Sequence, residues 1–366
     1  MCERRTLATG VLALLVAMSP MMSQLAQGQA AQGQGAAAPQ APGRGGGAPT
    51  PGAGGAPTPG AGGAPTPGAG GAPQGRAGGG GGGGFGGAAG PFTPTAGAKD
   101  LKTVLFNWTW HMGMLRSGAE SELVKTLDYH AAGGTIQANG QPCTLTKYRV
   151  QANYQVPGWR TQIECTFKNK QTYKNVETLS GEFAWDEDMP GAELVPGKGK
   201  ATPRPETLEE RRIRLWASPH GAPKAAIAGA AGMPASESFG ENPAVLLDQQ
   251  AKAGAKSTTT LEWLKDKAVL TFPVPGVPGA TAVATLTNYL PDSVVVTNGA
   301  DKTEFIYGKW ADWNNPLFKI DALYAGTIVE RKNGTVMRSV NAKVTEVGQI
   351  YVIMPVPASV QKAGGK

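Results

Sequence analysis

Asn-Gly dipeptides between β-rich segments are the feature that most constrains this fold. Both residues tolerate the positive φ angles of a type I′ turn, whose twist matches that of paired strands, so each pair predicts a tight β-hairpin. The three pairs are Asn139-Gly140 between GTIQA and CTLTKYRV, Asn298-Gly299 between SVVVT and TEFIYGKW, and Asn333-Gly334 between AGTIVER and TVMRSVNAKV.

Further β-branched and aromatic segments extend the same pattern. VPGW, residues 156–159, predicts a type II turn after KYRVQANYQ. The other predicted strands are ETLSGEFAW, TTLEWL, AVLTFPV, TAVATLT and QIYVIMPV. Most connections are too short for a parallel crossover. The predicted fold class is therefore α+β, mainly antiparallel β, with a curved open sheet (a half-barrel) covered by a few helices.

Helices are expected mainly in an insertion at about 203–256. Thr207 and Glu210 have the spacing of a capping box in front of EERRIRLW. PKAAIAGAA, which begins at Pro223, predicts a second helix, and residues 231–256 are expected to be loose. We expect these helical segments to be apolar enough to cover the sheet.

The stretch FNWTWHMGMLR, residues 106–116, fits either a helix or a strand. A helix over residues 99–115 places Leu101, Val104, Leu105, Trp108, Met112 and Leu115 on one face, whereas a strand alternates aromatic and polar residues. The preceding LKTVL fits only the helical period, which favours a helix ending near Gly113. We expect this stretch to be packing, and Trp110→Ala to lower the melting temperature sharply.

The first 98 residues predict a signal for export followed by a spacer. Residues 1–30 have the charged, apolar and small-residue regions of a secretory signal peptide, and the apolar run is too short for a membrane span. Residues 31–98 repeat GAPTPGAG three times and predict a disordered Gly/Ala/Pro-rich spacer. Residues 99–366 then predict a single β-rich globular domain. The expected location is periplasmic or extracellular.

The cysteines predict a disulfide, and the charge distribution does not predict nucleic-acid binding. Cleavage of the signal peptide leaves Cys143 and Cys165, and an even pair in an oxidising compartment favours a disulfide, with buried free thiols as the alternative. The formal net charge of +7 is spread along the chain. That pattern does not predict nucleic-acid binding, which needs a basic stripe interleaved with aromatic residues.

No pattern in the chain identifies a catalytic chemistry. The three histidines, His111, His130 and His220, are isolated, so a metallohydrolase or zinc centre is not predicted. His111, Met112 and Met114 are soft ligands of a kind that suits copper, but no regular backbone converges all three. The acidic run Asp186, Glu187 and Asp188 lacks the spacing of a calcium loop and is expected to be a solvated strand end. We expect no enzyme activity, no catalytic residue, no metal site and no cofactor.

The order of the predicted elements resembles a known bacterial group. A signal peptide, an N-terminal helix, a meander, a helical pair and a second meander resemble the lipoprotein-sorting carriers of bacterial envelopes. TEFIYGKWADWNNP, GTIVERKNGTV and VIMPVPASV are similar to the closing strands of related secreted proteins, over roughly 99–360. The resemblance implies an unclosed half-barrel whose concave face, covered by helices, receives acyl chains. It transfers no individual ligand-binding residue.

Two functional hypotheses follow from this architecture, and an enzyme of unknown type is the third, which a compact cavity with several converging carboxylates or histidines would favour. The first is a non-enzymatic exported module of the cell envelope that binds an apolar ligand, either a lipid or a lipidated protein. The second is a structural or protein-interaction domain of the envelope whose helices fill the core permanently. An unfilled apolar cavity beneath the helices would favour the first, and exposed aromatic rows on the outer strands would favour the second.

Overall fold

The computed structural model describes residues 92–115, 124–238, 242–313, 322–347 and 352–364. The chain divides into two units, 1–80 and 81–366, and every described residue belongs to the second. The expected signal peptide, 1–30, and residues 31–91 of the expected spacer lie outside the described residues.

Five helices and thirteen strands form the described part of the chain. The helices are α1 Leu101–His111, α2 Leu208–Ala217, α3 Gly221–Ala231, α4 Pro243–Lys252 and α5 Ala358–Gly364. The first meander is β1 Thr126–Ala138, β2 Gln141–Asn153, β3 Gly158–Thr166, β4 Thr172–Ser180, β5 Phe183–Glu187 and β6 Ala201–Pro203. The second is β7 Thr260–Leu264, β8 Lys267–Pro273, β9 Thr281–Thr287, β10 Leu290–Asn298, β11 Asp301–Asp312, β12 Leu323–Lys332 and β13 Thr335–Val347.

All thirteen strands belong to one antiparallel open sheet, as the short connections predicted. The order is β6-β5-β4-β3-β2-β1-β13-β12-β11-β10-β9-β8-β7, so β1 and β13 join the two meanders. Their pairing is interrupted by register shifts near Ala131 and Gly134. Gly134 has a φ of 130°, and a Cβ there would overlap the carbonyl oxygen of Ser339. Glycine therefore permits the close approach of β13 at this point.

The three predicted Asn-Gly hairpins are confirmed, although one turn is shifted. Asn139 and Asn333 have positive φ angles, as type I′ turns require. Asn298 instead remains in β10, opposite Asp301, and Gly299 takes the positive φ. The predicted turn at VPGW is wrong in detail because Gly158 already belongs to β3.

The positions of two predicted helices are confirmed, but their details differ. EERRIRLW lies within α2, whereas the capping box is wrong because the Thr207 hydroxyl donates to the carbonyl of Arg204 at 2.9 Å. PKAAIAGAA lies within α3. The loose stretch expected at 231–256 contains α4, whose first turn is capped by the Asn242 side chain.

Two other segments differ from expectation at the ends of the domain. Residues 352–357, part of the predicted strand QIYVIMPV, have no strand, and 349–351 lie outside the described residues. Residues 92–98 were assigned to the spacer, yet the ring of Phe92 packs edge-on against Phe106 of α1, with 5.1 Å between centroids.

A disulfide joins Cys143 of β2 to Cys165 of β3. Both residues are fully buried in the main core. The bond crosslinks neighbouring strands of the first meander, and the two cysteines are therefore not a free thiol pair. Within the described ranges, no helix has both the length and the apolar character needed to cross a bilayer.

Candidate functional site

The stretch that begins at Phe106 forms the end of α1, as its helical period predicted. Asp100 caps this helix by accepting hydrogen bonds from the Thr103 backbone and hydroxyl. Trp108, Met112 and Met114 are fully buried, whereas His111 is exposed and stacks on Tyr289. The three potential copper ligands therefore do not converge, and the Met side chains belong to the core.

Helix α2 binds strands of both meanders through its arginines. Arg211 donates to the carbonyl oxygens of Thr178 on β4 and Trp185 on β5, at 2.7 and 2.5 Å. Arg214 pairs with Glu330 on β12, at 3.1 Å. The end of α2 is held by the hydroxyl of Tyr307 on β11, which donates to the Ala217 carbonyl. One short helix thus links strands far apart in the sheet order.

Four charged side chains form a buried network beneath α2: those of Arg214, Arg338, Glu177 and Glu330. Arg214 contacts both Glu330, at 3.1 Å, and Glu177, at 3.5 Å. Arg338 contacts the same two carboxylates, at 3.3 and 2.7 Å respectively. Glu210 adds a further contact to Arg214 one helical turn away. Each arginine therefore bridges two acids. The planar guanidinium group has several N–H donors and can bind oxygens of both carboxylates.

The arginines lower the pKa of two acids of the network, Glu177 and Glu210. Desolvation alone would raise the pKa of Glu177, but Arg338 and Arg214 outweigh it and lower that pKa to about 2. Arg214 likewise lowers the pKa of Glu210. Because these carboxylates are neutralised by arginines, the arrangement is that of a structural ion-pair cluster.

The side chains beneath α2 leave little free space. A cavity of about 30 Å³ remains there, bordered by Tyr129, Tyr148, Tyr324 and Arg338. That volume accommodates about one water molecule. The expectation that the helical cover is apolar is wrong for α2, because Arg211, Arg212 and Arg214 are all buried in its contacts with the sheet and its turns.

His220 precedes α3 and is also buried. Its Nε2–H donates to the carbonyl of Leu323 at 2.9 Å, and its ring meets Tyr324 edge-on. Its Nδ1 has no partner among the described residues. The pKa of His220 is lowered to about 3, chiefly by burial. The hydrogen bond to the Leu323 carbonyl partly opposes this shift, and the nearby ammonium of Lys224 adds to it.

We expect this histidine to make the fold sensitive to mild acid. An unfolded histidine binds a proton below its ordinary pKa of 6.5, whereas folded His220 stays neutral down to about 3. The free energy of unfolding should therefore fall as pH drops below 6.5, by about 2 kcal/mol between pH 7 and pH 5. Denaturant titrations at both pH values measure the change.

His220→Gln keeps a donor for the Leu323 carbonyl without a titrating ring. In that variant the pH-dependent loss should shrink by about 2 kcal/mol. An unchanged loss in His220→Gln would contradict the assignment to His220.

A larger cleft of about 790 Å³ opens beside α2 and α3. Its floor includes Trp216 of α2 and the small residues Ala225, Ala228 and Gly229 of α3. Pro157, Pro234, Pro273 and Pro275 lie along its walls. Proline fixes φ at these four backbone positions. The size of the cleft is typical of sites for small apolar molecules.

The cleft is lined by three charged side chains: Arg212 and Glu182, which form an ion pair, and Lys256. Arg212 donates to the carbonyl oxygens of Gly276, at 2.7 Å, and Gly181, at 3.1 Å, and pairs with Glu182. It thereby connects the β4–β5 turn with the loop after β8. Lys256 is exposed at the rim and makes no ion pair or hydrogen bond with a described residue.

The acidic run at the end of β5 is not the solvated strand end that was expected. Glu187 is buried and accepts hydrogen bonds from the Trp185 indole, at 2.8 Å, and the Gly191 backbone, at 2.7 Å. Asp186 pairs with Arg204 and Arg211. Across the described residues, no three His, Cys, Asp or Glu side chains converge to hold a metal ion.

Sequence reasoning missed the ionic network, although one signal for it was present. Arg338 lies in phase with the inward positions Val340 and Ala342 of β13, where an apolar residue is the usual choice. Glu330 lies directly opposite Arg338 in the β12–β13 register. Opposite charges at facing inward positions thus indicated a buried pair.

The likeness to lipoprotein-sorting carriers depends on short strand segments and on element order. No protein-family model matches this chain, and comparison with curated proteins likewise gives no match.

Proposed function

We propose that this protein is an exported, non-enzymatic binding module of the cell envelope, and that its apolar ligand occupies the cleft beside α3. The observation that carries the proposal is the volume of about 790 Å³ between Trp216, α3 and the proline-lined walls. The ligand does not enter beneath α2, because buried ion pairs occupy that space. The location follows from the secretory pattern of residues 1–30.

We also propose that the sheet is a half-barrel curved around α2, as in lipoprotein-sorting carriers. Its supporting contacts come from the first turn of one helix: Arg211 binds β4, while Glu209 accepts a hydrogen bond from Asn298 of β10. These strands are seven positions apart in the sheet order, which in a flat sheet is about 34 Å. A helix of ten residues is only about 15 Å long.

A permanently filled protein-interaction domain is the second candidate. The buried network of Arg214, Arg338, Glu177 and Glu330 favours it, because the centre of the structure needs no guest. The exposed side chains of Val156 and Ile353, at 64% and 61% exposure, border one groove and offer a partner an apolar contact. Under this candidate the cleft stays empty in the protein purified from its native envelope.

Blocking the cleft tests the first candidate directly. Ser236 lines the cleft and is exposed, so Ser236→Trp should obstruct it without a change to the core. We expect the affinity for a neutral single-chain probe, hexadecanol, to fall by about tenfold or more. Native mass spectrometry of the full chain measures the bound fraction.

Glu237→Trp is the matched control, since the adjacent Glu237 is exposed but does not line the cleft. It should bind hexadecanol as the parent protein does. Absence of binding to the parent protein, or equal affinity in both variants, would remove the support for a ligand in the cleft.

A further inference from the structure

We propose that Asn139 is a site of spontaneous deamidation in this protein, and that side-chain hydrogen bonds protect the other two Asn-Gly pairs, at Asn298 and Asn333, from the same reaction. In each pair the residue after asparagine is glycine, whose backbone nitrogen is not shielded by a side chain. The inference concerns the hairpin turns and is independent of the ligand proposed for the cleft.

The reaction needs only the protein and water. The backbone nitrogen of Gly140 attacks Cγ of Asn139, and the side-chain amino group leaves as ammonia together with the proton of the Gly140 N–H. The new bond between this nitrogen and Cγ closes a five-membered succinimide ring. Water then opens the ring at one of its two carbonyl carbons, which gives aspartate or isoaspartate.

The turn at Asn139 leaves the reacting groups open. Asn139 and Gly140 connect Ala138 to Gln141, the last pair of the β1–β2 ladder. Both turn residues are exposed, and the Asn139 carboxamide makes no hydrogen bond with a described residue. A Cβ added to Gly140 would meet no atom within 4 Å. Only the local opening of this turn is therefore needed before the nitrogen can approach the carboxamide.

Asn333 provides a matched comparison because it has the same position in its turn. It is also the first of two turn residues, with Gly334 as the second, and its φ is 49° against 51° for Asn139. Its carboxamide, however, is held at both ends. The Nδ2 group donates to Asp301 at 3.0 Å, and Oδ1 accepts from the backbone nitrogen of Lys302 at 2.8 Å. These bonds keep the carboxamide away from the Gly334 nitrogen.

Asn298 is restrained by its strand as well as by its side chain. The residue remains in β10, opposite Asp301. Its carboxamide donates to the Glu209 carboxylate of α2 at 2.9 Å, and a hydrogen bond to an ionised acceptor is stronger than a neutral one. Asn298 and Asn333 should therefore both react more slowly than Asn139.

The modification would change the turn itself. Isoaspartate carries the main chain through the side-chain carbon of residue 139, which adds one atom to the backbone, and both products add a negative charge. The length of a hairpin loop fixes the register of its strands. We therefore expect the Ala138–Gln141 pair to loosen when isoaspartate forms.

The test follows the three sites in one sample of the full-length protein. The protein is kept in mildly alkaline buffer, and peptide mapping by mass spectrometry measures each product over time. In the folded protein we expect Asn139 to react about tenfold faster than Asn333 or more, because two hydrogen bonds must break at Asn333. In denaturant, where those bonds are lost, the three rates should become similar.

Asp301→Ala removes one partner of the Asn333 carboxamide and should raise its rate by about fivefold, with no change at Asn139. Asp301→Asn is the matched control, since its side-chain oxygen can still accept the hydrogen bond and should keep Asn333 protected. Equal rates at Asn139 and Asn333 in the folded protein would overturn the inference. Reaction at none of the three sites, over a time in which the denatured protein reacts, would overturn it too.

Discussion

Replacing Arg338 with methionine is expected to lower the free energy of unfolding by about 3–5 kcal/mol, since removal of one partner leaves a buried charge uncompensated. Glu177 loses its closest cation, at 2.7 Å, and Glu330 loses one of its two arginines. Arg214 already contacts both acids, so one arginine is then left to neutralise two buried carboxylates. Urea unfolding monitored by fluorescence and circular dichroism measures the loss.

Arg331→Met provides the comparison for a solvent-screened charge. Arg331 lies on the neighbouring strand, and its ion pair with Glu304 is partly exposed on both sides. Surface pairs of this kind contribute about 0–1 kcal/mol. Similar losses in the two variants would show that the buried network does not stabilise the fold more than a surface pair.

Trp108→Ala is expected to cost about 3–5 kcal/mol, the range for truncation of a large buried aromatic residue. Trp108 is fully buried between α1 and the main core. Its removal deletes apolar contact and leaves a cavity that the surrounding helices and strands cannot fully close. Thermal and denaturant unfolding of the full chain measure the effect.

The expectation that Trp110→Ala lowers the melting temperature sharply does not fit the exposed position of Trp110. Trp110 is 42% exposed and stacks on Phe106 at the surface of α1, so Trp110→Ala should cost less than about 1 kcal/mol. The helical period had placed Trp108, not Trp110, on the buried face, and the predicted melting effect was assigned to the wrong tryptophan. Equal losses in the two variants would contradict the packing described for α1.

The local parts of the fold were predictable because their causes are local. Asn139-Gly140 and Asn333-Gly334 form turns through their own backbone preferences, and LKTVL selects a helix through its own period. The shift at Asn298 shows the limit of such reasoning. The Asn298 side chain donates to Glu209 of α2, a partner distant in sequence.

The candidate site was not predictable because distant segments build it. The network joins Arg214 of α2 to β4, which precedes it in the sequence, and to β12, where Glu330 lies 116 residues after it, and composition gives no indication of that pairing. The cleft likewise depends on loops near Pro157, Pro234 and Pro275, whose positions follow from the sheet order rather than from local propensity. The residues that line the cleft come together only in the folded chain.

The pairing of β1 with β13 makes folding depend on contacts between the two ends of the sheet-forming sequence. Strand β1 is the first strand in the sequence and pairs with the last, β13, with Leu127 opposite Val347. This pairing can form only after the whole sheet-forming sequence has been synthesised. Until then one long edge of the first meander has unpaired backbone groups, a state that invites intermolecular association. Contacts so distant in sequence slow folding, so this edge stays unpaired until β13 has been added to the sheet.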